Sequence, residues 1–160
     1  LYQKKIKKVW LEPDGKVYLG AKKAIENADY IFFGPGSLYC SIIAAILPKG
    51  IKESLRKTKA KLIYISGNAY EANGEVGPTT LSGAIFELKQ YLPRMFDIVI
   101  YNNCKITAEK LKKYQQKEWK PIEADFNNLS SVNIIKANYE NKMGGSDSAK
   151  LSKILEKVIF

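Results

Sequence analysis

Apolar and polar positions fall into blocks that name the elements. Tyr30-Ile31-Phe32-Phe33, residues 61–65 (KLIYI) and residues 97–101 (DIVIY) are short runs rich in β-branched and aromatic side chains. Uninterrupted apolar runs of this length suit buried parallel strands. Leu81, Ile85, Leu88 and Leu92 recur at helical spacing behind Thr79-Thr80 and stop at Pro93. Leu151, Ile154, Leu155 and Val158 do the same behind the cap Ser146-Asp147-Ser148. Residues 21–27, the stretch after Gly36 up to Leu47, residues 51–57 and residues 107–116 read as further helices. Residues 119–124 and 132–136 read as short strands. Before them, Ile6, Val9 and Leu11 are extended, and Glu12-Pro13-Asp14-Gly15 is a turn into Val17-Tyr18-Leu19. That pattern predicts a hairpin or short edge element at the amino end.

Strands alternating with helices define an α/β class with a mostly parallel sheet. No repeat, linker or low-complexity run divides residues 1–160, so one domain is expected. In such sheets ligands bind beyond the carboxyl ends of the strands. Three predicted strands leave by polar exits: residues 34–41, residues 66–78 and Asn102-Asn103. A cleft is expected where they meet.

The first exit carries the sharpest chemistry. Gly34-Pro35-Gly36-Ser37 joins a strand to the start of a helix, Ile42-Ile43-Ala44-Ala45-Ile46-Leu47. First-turn amides have no intrahelical acceptor, and the helix dipole favours an anion there, a phosphate above all. Gly34 and Gly36 can take positive φ and admit a ligand close to the backbone, while Pro35 stiffens the turn. Ser37 and Ser41 are hydroxyl donors, and Ser37 can also cap the helix. The run is neither a Walker loop, since no Gly-Lys-Ser/Thr follows, nor the dinucleotide fingerprint, since Tyr39 stands at the third glycine. A tight βα turn without a ligand fits the same residues.

Composition narrows the classes. Apolar residues make up 46% and charged residues 26%, as in an ordinary globular domain. No apolar run approaches the roughly 20 residues of a membrane helix, and no signal-peptide region is seen, so a cytoplasmic protein without membrane attachment is expected. The chain opens on Leu1 rather than Met, which suggests a start inside a longer protein or missing first residues. Two cysteines, Cys40 and Cys104, are expected to be reduced. With no histidine, Ser-His-Asp and Cys-His nucleophile systems are excluded within these residues and a typical zinc site is disfavoured. The net charge is +10, but the lysines are scattered and the two arginines, Arg56 and Arg94, lie far apart. That distribution argues against nucleic-acid readout and is compatible with a small phosphorylated ligand.

Among the other polar residues, Asn68 reads as a ligand contact or a turn former, and Asn102 and Asn103 as ligand contacts or strand closure. Glu71 and Glu75 could hold Mg²⁺ or a sugar hydroxyl, or be solvated loop acids. Tyr39 is expected to pack, and Asp125 to cap or turn the chain.

The run Gly34-Pro35-Gly36-Ser37-Leu38-Tyr39-Cys40-Ser41-Ile42 resembles the GPGSLYTSI loop of the gluconeogenesis factor (YvcK-like) family, which is related to the 2-phospho-L-lactate transferases (CofD-like). Residues 8–13, 24–29, 48–55, 96–103, 121–125 and 147–154 follow the family order, and Asn68 with Gly74-Glu75 resembles the family's Asn and its Gly-Glu-Thr loop. The resemblance implies a three-layer Rossmann-like sandwich, of which this chain is the C-terminal half. It implies a nucleotide-linked ligand, a UDP-sugar, and a regulatory role in carbon use, cell-wall synthesis and cell shape rather than catalysis, so no catalytic residue is assigned. The residues it points to are Gly34, Pro35, Gly36, Ser37, Leu38, Tyr39, Ser41, Asn68, Gly74, Glu75 and Asn103. No protein-bound metal is assigned, although Mg²⁺ would be compatible with a nucleotide, and so would a homo-oligomer. The transferase branch implies instead phospholactyl transfer to a deazaflavin with Mg²⁺. Cys40 stands where the family has Thr, and Val76 replaces the Thr of Gly-Glu-Thr.

Overall fold

The computed structural model describes residues 6–72 and 77–160. Four parallel strands form the sheet: β1 Tyr30–Phe33, β2 Lys61–Ile65, β4 Ile98–Asn102 and β6 Asn133–Ala137, in the order β1-β2-β4-β6. In register, Phe32 pairs with Ile63, Ile63 with Ile98 and Ile98 with Asn133. A second ribbon pairs β3 Ala69–Glu71 antiparallel to β5 Trp119–Pro121.

Side chains alternate across the sheet, so each strand feeds two cores. Leu62, Tyr64 and Val99 face Leu55 of α3 (Ile51–Lys57) and Leu81, Ile85 and Leu88 of α4 (Leu81–Tyr91). Ile63, Ile65, Ile98 and Ile100 face the apolar stripe of α6 (Ser148–Ile159). Helices on both faces explain why β2 and β4 read as continuous apolar runs. The remaining helices are α1 (Leu19–Glu26), which packs on α3, α2 (Ala44–Ile46) and α5 (Ala108–Gln116).

Helix starts follow their caps. Thr80 accepts from Gly83 N–H, Thr107 from Lys110 N–H and Asp147 from Lys150 N–H. Asp125 braces α4 from another segment: its carboxylate accepts from both Ser82 N–H, at 2.9 Å, and Ser82 Oγ–H.

Three expectations are corrected. Among the described residues no hairpin forms before α1. Val17 N–H donates to the Lys49 carbonyl and Lys49 N–H to the Gly15 carbonyl, so this backbone pairs with the loop before α3, and Leu19 already belongs to α1. The helix after Gly36 begins as a π-helical turn, Leu38–Ile43, before α2. The exit of β2 is not all loop, because Ala69–Glu71 is taken into the ribbon by β5.

Candidate functional site

All four strands are parallel, so their exits lie at one end of the sheet. At the first exit Ser37 organises the turn. Its Oγ accepts from Cys40 N–H at 3.0 Å. Its carbonyl accepts from Ser41 N–H at 3.2 Å and Ile42 N–H at 3.1 Å, the latter an i to i+5 bond. Three first-turn amides that the sequence offered to an anion are therefore taken up by Ser37. Neither Gly34 nor Gly36 has positive φ; Gly50, Gly144 and Gly145 are the described glycines that do. The value of these two glycines is access. A methyl group on Gly34 would meet open space, and one on Gly36 would touch Ser41 Cβ at 3.4 Å.

Tyr39 is only 4% exposed and belongs to the core with Ile42 and Ile43. Leu38 is half-buried against the same cluster. Ser41 and Pro35 are exposed. A methyl group on Gly77 would lie 3.3 Å from Tyr39 Cε2, so the exit of β2 closes onto the exit of β1.

The exits of β2, β4 and β6 are tied by a buried polar network centred on Glu140, which is 1% exposed. Tyr114 O–H donates to Glu140 Oε1 at 2.6 Å, and Asn102 Nδ2–H donates to Glu140 Oε2 at 2.9 Å. Asn68 Nδ2–H donates to the Tyr114 hydroxyl at 2.6 Å. Lys110 Nζ stands 4.0 Å from Glu140 Oε1 and donates to Cys104 Sγ at 2.9 Å. Tyr139 O–H reaches the carbonyls of Ser66, at 2.6 Å, and Ile100, at 3.0 Å. A buried carboxylate with several donors is a satisfied structural charge. Burial, with the adjoining Glu140 carboxylate, raises the ionisation of Tyr114 well above the ordinary phenol range. Tyr114 therefore stays protonated and keeps donating.

Of the predicted contacts, Asn68 is 9% exposed and its amide is engaged by Tyr114, so it holds strand exits together. Asn103 is exposed at the end of β4, with its N–H donated to the Ala137 carbonyl. Gly74 and Glu75 lie outside the described residues. Glu71 is exposed on β3. Tyr114, Lys110, Tyr139 and Glu140 were not singled out by sequence reasoning. The available signal was a fourth polar exit, Asn138-Tyr139-Glu140-Asn141, with two residues between it and the apolar Ile134-Ile135. Two hollows lie away from the Gly34–Ser41 turn. One of about 270 Å³ sits between the loop before α3 and the end of α4, and one of about 530 Å³ lies at the amino end of β1. No three Asp, Glu, Cys or His side chains gather among the described residues.

A parallel α/β sheet with helices on both faces and a glycine-serine turn at one strand exit defines the class in outline: an open α/β sheet protein. The comparisons give the family. Residues 2–140 match the family model described as 2-phospho-L-lactate transferase CofD, and the chain belongs to that family. A relative from Thermotoga maritima is 35% identical over 85% of this chain and 46% of its own length. The gluconeogenesis factor of Bacillus subtilis is 30% identical over 96% of this chain and 50% of its own length. A crystal structure of a member of the UPF0052 family from Bacillus halodurans superposes with a TM-score of 0.88 at 28% identity, covering 99% of this chain and 52% of that one. The chain thus spans about half the length of these relatives.

Proposed function

We propose that this chain supplies one wall of a site for a nucleotide-linked ligand, a UDP-sugar, in a regulator of carbon metabolism and cell-wall synthesis. The observation that carries the reading is the open glycine turn at the carboxyl end of β1, where a parallel α/β sheet receives ligands. With Cys40, Ser41 and Ile42 amides held by Ser37, a phosphate at this turn would be met by the Gly36 and Leu38 amides and the exposed Ser41 hydroxyl. The exposed Asn103 extends the reading to the exit of β4. The name of the Bacillus subtilis relative supports a role around gluconeogenesis.

Calorimetry with UDP-N-acetylglucosamine on the full-length protein tests it. Gly36→Asp fits sterically, since the new Cβ meets Ser41 at ordinary contact distance, and it places a carboxylate against the phosphate. Binding is expected in the parent and lost in the variant. Equal affinity in both ends the assignment.

The family description favours a second reading, phospholactyl transfer to a deazaflavin acceptor. Turnover of that acceptor with Mg²⁺ supports it, and none at saturation counts against it.

A further inference from the structure

We propose that Cys104 and Lys110 are a covalent modification site, at which a hydroperoxide oxidises the sulfur and the lysine amine then closes on it as a sulfur–nitrogen bridge. Lys110 Nζ lies 2.9 Å from Cys104 Sγ and donates to it. The pair stands at the exit of β4 and needs no nucleotide.

Both ends of the pair are held by the backbone. Cys104 comes two residues after β4, and its N–H donates to Asn102 Oδ1 at 3.2 Å. Its thiol is half-buried and donates to the Lys105 carbonyl at 3.5 Å. Lys110 stands in the first turn of α5, where its N–H donates to the capping Thr107 hydroxyl at 3.3 Å. The two side chains therefore meet across the turn between β4 and α5.

The amine is drawn inward. Lysine ordinarily keeps its charged head in water, yet the Lys110 side chain is only 21% exposed, and the fully buried Glu140 carboxylate stands 4.0 Å from its Nζ. Lys113, Lys117 and Lys150 donate to oxygens. Lys110 is set instead on sulfur, a weak acceptor. A nucleophilic nitrogen and an oxidisable sulfur are thus within reacting distance, since atoms about 3–3.5 Å apart already form a near-attack pair of high effective molarity.

The chemistry balances with a hydroperoxide as oxidant. Cys104, as thiolate, attacks one peroxide oxygen. The S–O bond forms, the O–O bond breaks, and the hydroxide that leaves takes up a proton as water. Sulfur is oxidised by two electrons to the sulfenic acid, and the peroxide is reduced. Sulfenic acids condense with a neighbouring thiol or backbone nitrogen; here the nitrogen in place belongs to Lys110. Its amine, one proton having gone to solvent, attacks the sulfur. The S–N bond forms, the S–O bond breaks, and the hydroxide leaves as water with a proton from the nitrogen. The product is two hydrogen atoms lighter than the reduced chain. A thiolate attacking the sulfur releases the amine and reverses the bridge. Bridging also removes the positive charge beside Glu140, so oxidation is felt by the network that ties the strand exits.

Peptide mapping of the full-length protein tests the site. The reduced protein is treated with hydrogen peroxide and digested with trypsin. Residues 95–105 and 106–112 are expected to appear joined, uncut after Lys110 and two hydrogen atoms lighter than their sum, and to separate in dithiothreitol. Lys110→Arg keeps a cation beside Glu140 and is expected to lose the joined pair, while Cys104 still forms a dimedone adduct. The parent digest decides the question even if that variant fails to fold. Cys104 recovered from the treated parent as free thiol, as sulfinic acid or as a disulfide, without the joined pair, overturns the proposal. So does a bridge to any lysine other than Lys110.

Discussion

At the scale of single residues, a polar side chain is defined by what has already engaged it. Asn68 reads from the sequence as a ligand contact or a turn former, yet its amide donates to Tyr114, which donates to Glu140. Those partners are 46 and 72 positions away along the chain, and nothing local announces them. Asp125 shows the opposite case, because capping was legible in its type and only the recipient was not. Burial opposes its charge, but hydrogen bonds from Ser82 and Asn128 outweigh that and hold its carboxyl down at about 2. A folded-state value below the ordinary one of 3.8 stabilises the fold fully above that ordinary value, and the gain is lost as pH falls through about 2. Asp125→Asn should therefore cost about 1 kcal/mol at neutral pH, after allowance for solvent screening. Urea unfolding across the acid range should show the gap between variant and parent closing from about pH 4 to pH 2. A gap that stays constant with pH would mean that the charge contributes nothing.

At the scale of elements, the sequence located all six helices and all four sheet strands, because their apolar periods are clear, and α4, α5 and α6 also carry capping residues that agree. Elements whose partners are distant were the ones misread. Val17-Tyr18 has β-forming side chains, but its backbone pairs with Lys49, so no hairpin results. The π-helical turn has no sequence signature; it arises because the Ser37 carbonyl collects both Ser41 and Ile42 amides. Such turns are rare and tend to sit at functional sites. Ser37 thus does for the chain what an anion would do at a simpler helix start. Ser37→Ala should lower stability by about 1 kcal/mol, the usual value of a cap. The urea midpoint should shift while its slope stays constant. If instead an added nucleotide sugar restores the midpoint of Ser37→Ala further than that of the parent, the ligand phosphate takes over the vacated Cys40 amide.

At the scale of the whole molecule, the fold class was legible and the order of the strands was not. Periodicity shows which runs are buried strands, but pairing order comes only with coordinates, and it is the order that leaves uncharged β1 outermost. The surface charge is a second whole-molecule property, and there the sequence reading can be pressed to a number. A net charge of +10 attracts any polyanion, but phosphate-backbone binding becomes salt-resistant only when many cations face one groove. Several lysines here are otherwise engaged: Lys113 with Glu109, Lys150 with the Glu140 carbonyl, Lys110 with Cys104, and Lys136 over the Phe126 ring. The remainder are scattered along the chain. Few counterions would then be released together, and the salt slope would be shallow. The chain should leave a heparin column below about 0.3 M salt, whereas a nucleic-acid module with clustered cations should persist beyond it. Retention past that concentration would mean that the lysines converge on one face, and the small-ligand reading would lose its support from charge.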